Sequence, residues 1–214
     1  MHIQRRQILD LACRVHRAGK VIALGGPSVS AAPEDYPEID LLHCGEVGDG
    51  TLELFRRLDK TAARPEQQIV YHTVDRLPMT EFSTPAYCLI DVRQYLLGCV
   101  QFSSGCPFTC EFCDIIELYG RRPRTKSNAQ MLAELERLYE LGYRGHVDFV
   151  DDNLIGNKKA LKTFLPELNA WQQAHDYPFE FSTEASINLA DDDEMLQSMK
   201  DANFFAVFVG IESP

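Results

Sequence analysis

Cys106, Cys110 and Cys113 stand in the stretch Ser104-Gly105-Cys106-Pro107-Phe108-Thr109-Cys110-Glu111-Phe112-Cys113-Asp114. This C-x3-C-x2-C spacing puts three soft thiolates on one tight loop. Such ligands select iron–sulfur clusters, zinc or copper(I) over hard, oxygen-loving cations. A structural zinc site closes itself with four protein ligands, and an electron-transfer cluster also commonly takes four cysteines. Three thiolates with no fourth nearby point to a cubane that keeps one iron open. A zinc loop or a redox-disulfide loop is the competing reading.

The elements around the loop decide where it lies. Val100-Gln101-Phe102 reads as a strand that delivers the cysteines at its end. Ser127 with Gln130 three residues on is a capping box for a helix that runs to Leu141 and stops at Gly142. His146 to Val150 is the next strand, ending at Asp151-Asp152-Asn153. A helix over about 158–174 follows, with Pro166 inside it as a kink or break. Phe179-Glu180-Phe181 is a third strand, ending at Ser182-Thr183-Glu184. Asp191 or Asp192 caps a helix through Met199, and Phe205 to Val209 is the last strand, before Gly210-Ile211-Glu212. Four β units alternating with three helices match the first half of a β/α barrel, whose active site lies at the C-terminal ends of its strands. The thiolates, Asp151 and Asp152, Glu184 and Glu212 all fall at such ends.

Before Cys99 the pattern is less regular. Residues 3–18 read as an amphipathic helix, with Ile8, Leu11, Ala12 and Val15 near helical spacing. Val21 to Leu24 is a short buried strand running into Gly25-Gly26-Pro27, and Ile39 to His43 is a second, ending in Cys44-Gly45-Glu46-Val47-Gly48. Thr51 to Leu58 reads as a helix. Strands alternating with helices imply a parallel open sheet, in which ligands bind beyond the carboxyl ends of the strands. Residues 60–98, with Pro65, Pro78 and Pro85, read as a connector wrapped on the surface. The expected class is α/β: residues 1–60, a connector over 61–98, and a core over 99–214.

Composition narrows the options. A formal net charge of -11 over 214 residues argues against a nucleic-acid-binding surface. Seven cysteines make an odd number, and no signal peptide is visible, so a cytoplasmic protein is expected rather than a disulfide framework. No apolar run approaches the ~20 residues that span a bilayer, which leaves a soluble or peripheral protein.

With Phe112 as its aromatic, the cysteine stretch resembles the C-x3-C-x-aromatic-C signature of radical S-adenosylmethionine (SAM) enzymes. The resemblance implies a [4Fe-4S] cluster on Cys106, Cys110 and Cys113, with SAM chelating the open iron and reductive cleavage giving a 5′-deoxyadenosyl radical. Val21 to Ser28, Pro33-Glu34 and Gly45-Glu46 are similar to the later part of a cobalamin-binding Rossmann-like domain. The whole chain therefore resembles cobalamin-binding radical SAM proteins. The run from Gln101 through Asp114, with Tyr119-Gly120-Arg121 and Asp151-Asp152-Asn153, looks closest to the hopanoid C-2 methylase-like branch.

That resemblance implies methyl transfer through cobalamin to an unactivated carbon of a small or lipid-like, hopanoid-type substrate. It implies SAM contacts at Phe112, Asp151, Asp152, Glu184 and Glu212, and cobalamin contacts at Gly25, Gly26, Gly45 and Glu46. A flavodoxin- or ferredoxin-type protein would be the reductant. The chain departs from the family in lacking a D-x-H-x-x-G motif and in showing four strands of a commonly six-stranded core, so it reads as a fragment. Another cobalamin-linked radical reaction, or a non-catalytic metal-binding module, are the alternatives.

Simpler readings stand beside these. Asp151 and Asp152 could only cap a helix, Glu184 and Glu212 could sit in salt bridges, and Gly25-Gly26 could serve a tight turn. Cys13, Cys44, Cys88 and Cys99 are expected as small buried hydrophobes. Arg121, Arg122 and Arg124 read as a solvated run that could also steer an anionic partner. His43, His72 and His146 read as ordinary residues.

Overall fold

The computed structural model describes residues 5–211. They form two compact units, Met1–Leu77 and Pro78–Pro214. Glu212 lies outside the described residues.

The first unit is built on a three-stranded parallel sheet. Its strands are β1 (Ala23–Gly25), β2 (Leu41–Cys44) and β3 (Ile69–His72), in that order. Leu42 and Cys44 turn one face of β2 onto Ala12 of α1 (Arg5–Arg17), Val29 of α2 (Pro27–Ala31), Tyr36 and Ile39, all buried. On the other face His43 meets Thr51 of α3 (Asp49–Lys60) at 2.9 Å. A sheet covered on both faces is the doubly wound arrangement that alternating strands and helices imply. Two expectations are corrected. Residues 61–98 are not a uniform connector, because Ile69–His72 pairs in register with Leu41–Cys44. And β1 is not a buried strand: it lies at an edge of the sheet, with Ala23 exposed and Leu24 half-buried.

Asp40, 6% exposed, ties this unit together. Its carboxylate accepts the Ile22 N–H at 3.0 Å, His16 Nε2 at 2.9 Å and Arg64 Nε at 3.0 Å. Burial drives the Asp40 carboxyl up, but the Ile22 amide and the His16 and Arg64 side chains outweigh it and hold the group below its usual range.

The second unit opens with three single turns of 3-10 helix, Met79–Glu81, Tyr87–Leu89 and Val92–Gln94. Its main sheet is four-stranded and wholly parallel: β4 (Gly98–Val100), then β7 (Gly145–Phe149), β8 (Phe179–Glu184) and β9 (Phe204–Phe208). Between β4 and β7 lie the short antiparallel pair β5 (Ser103–Ser104) and β6 (Arg124–Thr125), with α4 (Ile115–Leu118) inside the loop that they bracket. Helices α5 (Asn128–Glu140), α6 (Lys158–Ala174) and α7 (Asp193–Asp201) connect the later strands.

Alternation along the strands explains the packing. Val147 and Phe149 of β7 and Phe179 and Phe181 of β8 are buried against Met131, Leu135 and Leu138 of α5 and Leu161, Phe164, Leu165 and Leu168 of α6. These helix positions recur at three- and four-residue spacing, which places them on one stripe. Burying each such side chain contributes about 1.5–3 kcal/mol. Phe149 is central: its ring lies 5.2 Å from those of Phe181 and Phe204, so truncating it to alanine costs about 3–5 kcal/mol.

The opposite face of the same strands is polar. Asp148 stands in register with Cys99 on β4 and Ser182 on β8; Ser182 Oγ donates to the Asp148 carboxylate and lies 2.6 Å from His146 Nε2. Parallel sheets covered by helices on both faces are apolar on both. One apolar and one polar face instead match the wall of a partial β/α barrel.

Local signals in this unit work as expected. The Ser127 hydroxyl accepts the Gln130 N–H, and Gln130 Oε1 accepts the Ser127 N–H at 2.9 Å. Asp192, rather than Asp191, caps α7 by accepting the Met195 N–H at 3.1 Å. Pro166 departs from expectation in one respect: it does not break helix α6, which is continuous over Lys158–Ala174. Among the described residues no helix is long and apolar enough to cross a membrane.

Candidate functional site: the cysteine loop and the strand ends beside it

The first strand of the second unit ends earlier than its sequence suggests. The expected strand over Val100 to Phe102 is replaced by β4, which stops at Val100. The cause is Asp151, just past the end of β7. Its carboxylate takes the Phe102 N–H at 3.0 Å and both the N–H and hydroxyl of Ser103, so these amides leave the parallel ladder. The chain then turns into β5, which pairs with β6, and the two bracket a partly exposed loop.

Gly105, itself buried, begins that loop with φ +95°, a left-handed conformation that glycine adopts at no steric cost. Its N–H donates to Asp152 Oδ2 at 2.9 Å, and an added Cβ would sit 2.7 Å from the Gly120 carbonyl oxygen. The Cys106 N–H donates to that same carbonyl at 3.2 Å. Gly156, in the 3-10 turn Leu154–Asn157, packs under the loop; a Cβ there would meet Pro123 at 3.1 Å and Pro107 at 3.3 Å. The loop is thus held at both ends and from below, while the cysteines stay accessible: Cys106 and Cys113 are half-buried and Cys110 is exposed.

All seven cysteines are free thiols. Cys44 alone meets the expectation of burial. Cys13 lies on the outer side of α1, Cys88 in a 3-10 turn, and Cys99 on the polar face of the sheet, and all three are exposed. Among the described residues no three His, Cys, Asp or Glu side chains are gathered tightly enough to hold a single metal ion. A mononuclear zinc site needs its ligands about 2.3 Å from one centre, whereas a polynuclear cluster holds its thiolates further apart. Free thiols on one accessible loop, one of them receiving an N–H from Asn153 at 3.8 Å, fit the donor chemistry of an iron–sulfur cluster.

The strand-end carboxylates divide into two kinds. Asp151 is 1% exposed, with both oxygens engaged by the Phe102 and Ser103 groups. Burial without a cation pushes its carboxyl up to about 6, against the pull of the Ser103 and Phe102 donors. Asp152 is half-buried and accepts the Gly105 N–H with Oδ2. Glu184, exposed at the end of β8, is pushed above its usual range by desolvation and by the nearby carboxylates of Asp148 and Asp152. Asp152 and Glu184 therefore share one negatively charged strand-end region, close to the cysteine loop. Phe112 presents its ring at 67% exposure from within that loop.

Arg121 and Arg122 are solvated as expected, but Arg124 is half-buried and donates to Ser104 Oγ and to the Tyr119 carbonyl, both at 3.2 Å. Asn153, 3% exposed, was not singled out by sequence reasoning, although it joins three loops. Its position directly after the aspartate pair was the one available signal.

In the first unit the glycine-rich turns do lie at the carboxyl ends of β1 and β2. Gly26 (φ +108°) and Gly45 (φ +100°) both adopt left-handed backbone. A Cβ on Gly26 would meet nothing within 4 Å, so only its backbone demands glycine, whereas one on Gly45 would press on Thr73 at 3.1 Å. The Gly45 N–H donates to Ser30 Oγ at 2.8 Å, and Glu46 pairs with Arg76 at 3.2 Å. His43 stands beside Gly25, bonded to Thr51 and Thr73, with its pKa lowered first by burial and then by the charge of His72.

Known proteins resemble this chain in sequence and in fold. The Radical SAM superfamily model matches residues 100–214. The hopanoid C-2 methylase of Rhodopseudomonas palustris (strain TIE-1) is 50% identical over all of this chain, which covers 41% of that protein. An uncharacterized methyltransferase of Synechocystis sp. is 45% identical, again over all of the chain and 40% of the relative. The chain thus spans about two fifths of the length of these curated relatives. Among solved structures, the cobalamin-dependent SAM radical enzyme OxsB, with aqua-cobalamin and SAM bound, superposes with a TM-score of 0.74. That match covers 97% of this chain and 33% of OxsB at 20% identity, a likeness of fold.

Proposed function

Because the chain belongs to the radical SAM superfamily, we propose that it forms the cluster-bearing part of a cobalamin-dependent radical SAM C-methyltransferase acting on a lipid-like, hopanoid-type substrate. The observation that carries this reading is the placement of three free thiols on a glycine-hinged loop beside Asp152 and Glu184. When bound, the cluster and SAM supply the 5′-deoxyadenosyl radical, and cobalamin supplies the methyl group.

The chain's own residues divide the remaining work. Cys106, Cys110 and Cys113 would hold a [4Fe-4S] cluster, whose remaining ligand position would be open to SAM. Asp152 and Glu184 set negative charge beside the loop, which suits the ammonium and hydroxyl groups of SAM, and Phe112 offers an apolar surface. Asp151 acts one layer deeper by fixing where the strand ends and the loop begins. In the first unit, Gly25, Gly26 and Gly45 would lie toward a flat macrocycle at the strand ends, with open space beside Gly26 and with Glu46 paired to Arg76. Hopanoid-type substrate chemistry is drawn from the methylase that shares half of this sequence. A flavodoxin- or ferredoxin-type reductant and a cytoplasmic or peripheral-membrane setting complete the reading.

Anaerobic reconstitution of the full-length protein tests it. We expect about four irons per chain, SAM-dependent release of 5′-deoxyadenosine on reduction, and loss of both on changing any of the three loop cysteines to alanine. Cys13→Ser and Cys88→Ser leave both unchanged. Stoichiometric zinc without 5′-deoxyadenosine would overturn the proposal.

A further inference from the structure

The amide of Asn153 has its orientation dictated by its neighbours. The backbone N–H of Ser186 can only donate, and it reaches Asn153 Oδ1 at 3.3 Å. The amide oxygen therefore faces the Ser186 backbone, which fixes Nδ2 on the other branch of the amide, toward the Ser186 hydroxyl and Cys106. Ser186 Oγ gives its own proton to Asn188 Oδ1 at 2.6 Å, so it accepts one N–H from Asn153 Nδ2 at 3.0 Å. The second N–H of Nδ2 lies 3.8 Å from Cys106 Sγ, within reach of a hydrogen bond to sulfur. At 3% exposure, water does not compete for it.

From this geometry we propose that Asn153 is a positioning residue for the iron–sulfur centre, donating an N–H···S hydrogen bond to Cys106 that raises the cluster's reduction potential. The inference rests on Cys106 being a cluster ligand, as in the function proposed above. A donor at the thiolate withdraws negative charge from it and so favours the reduced cluster, which carries one more electron; hydrogen bonds to sulfur are among the levers that set such potentials. The same amide ties Cys106 to Ser186, two residues past Glu184. The end of β8, where Glu184 supplies a proposed SAM-facing carboxylate, thereby keeps its register with the ligating sulfur.

The test uses full-length protein reconstituted anaerobically, with iron and sulfide content measured first. A wild type that binds no cluster would overturn the functional reading itself. With the cluster in place, EPR-monitored redox titration of Asn153→Ala and Asn153→Asp should give midpoint potentials more negative than wild type at unchanged iron content. Ser186→Ala, which loosens the amide without removing it, should give a smaller shift of the same sign. Electron–nuclear double resonance on the reduced wild-type cluster with 15N-labelled asparagine should show a nitrogen coupling and an exchangeable proton lost in D2O. An Asn153→Ala potential equal to wild type overturns the inference while leaving the cluster assignment intact. If the Asn153 variants fail to hold a cluster, absence of the 15N coupling in wild type overturns it instead.

Discussion

Asp151 Oδ2 accepts the amide N–H of Phe102 at 3.0 Å, across 49 residues of sequence. That bond ends β4 and starts the cysteine loop, with both Asp151 oxygens taken up by Phe102 and Ser103. Replacing it with asparagine exchanges one acceptor for an NH2 group that confronts backbone N–H donors. Asp151→Asn should cost about 1–3 kcal/mol of stability and lower iron uptake, read by thermal melting and iron content of the reconstituted protein.

The same carboxyl carries a pH signature. Its folded-state value, about 6, lies above the usual carboxylate range. The folded protein therefore keeps a proton that the unfolded chain has released, and stability falls as pH rises from about 4 to about 6. Denaturant titrations across that window should show the slope in wild type and its loss in Asp151→Asn.

Asp40 should behave in the opposite sense. Its value is held below the usual range by the Ile22 amide, His16 and Arg64 in spite of burial. Its contribution is present above the unfolded-state value and disappears as pH falls through the folded one. The penalty of Asp40→Asn should be about 1–3 kcal/mol near neutrality and shrink under acid conditions, as followed by melting temperature against pH.

Gly105→Ala tests the hinge of the cysteine loop. A side chain there meets both an unfavourable φ of +95° and the Gly120 carbonyl at 2.7 Å, so the loop must shift. The strain is about 1–3 kcal/mol. The expected result is a modest drop in melting temperature with a large drop in iron bound per chain. Gly142→Ala is also strained (φ +81°) but meets nothing within 4 Å, and should leave iron binding unchanged.

Glu184→Gln tests the carboxylate at the end of β8. Loss of its charge should weaken SAM binding about tenfold, equivalent to about 1.4 kcal/mol, in calorimetry on the reconstituted protein. Because its pKa is raised, binding to wild type should also weaken under mildly acidic conditions where the variant's does not. Glu180→Gln, four residues earlier on the same strand, serves as the control.

What the sequence alone determined is what local geometry carries. The cysteine spacing, the Ser127–Gln130 capping box and the alternation of short apolar strands with periodic helices all depend on residues within a few positions of one another. They were legible for that reason, and they led to the α/β class, the cysteine loop and the order of β units. Tertiary structure decided the rest. It took residues 69–72 out of the expected connector, because β3 is made by pairing with β2 rather than by a strong pattern of its own. It placed Cys13, Cys88 and Cys99 at the surface. It separated Asp151 from Asp152, neighbours of the same type, by turning one carboxylate onto the Phe102 and Ser103 amides and the other onto Gly105. It gave Asn153 partners 33 and 47 residues away. Each of these outcomes depends on which distant backbone groups a side chain meets after folding, and spacing along the chain does not encode that.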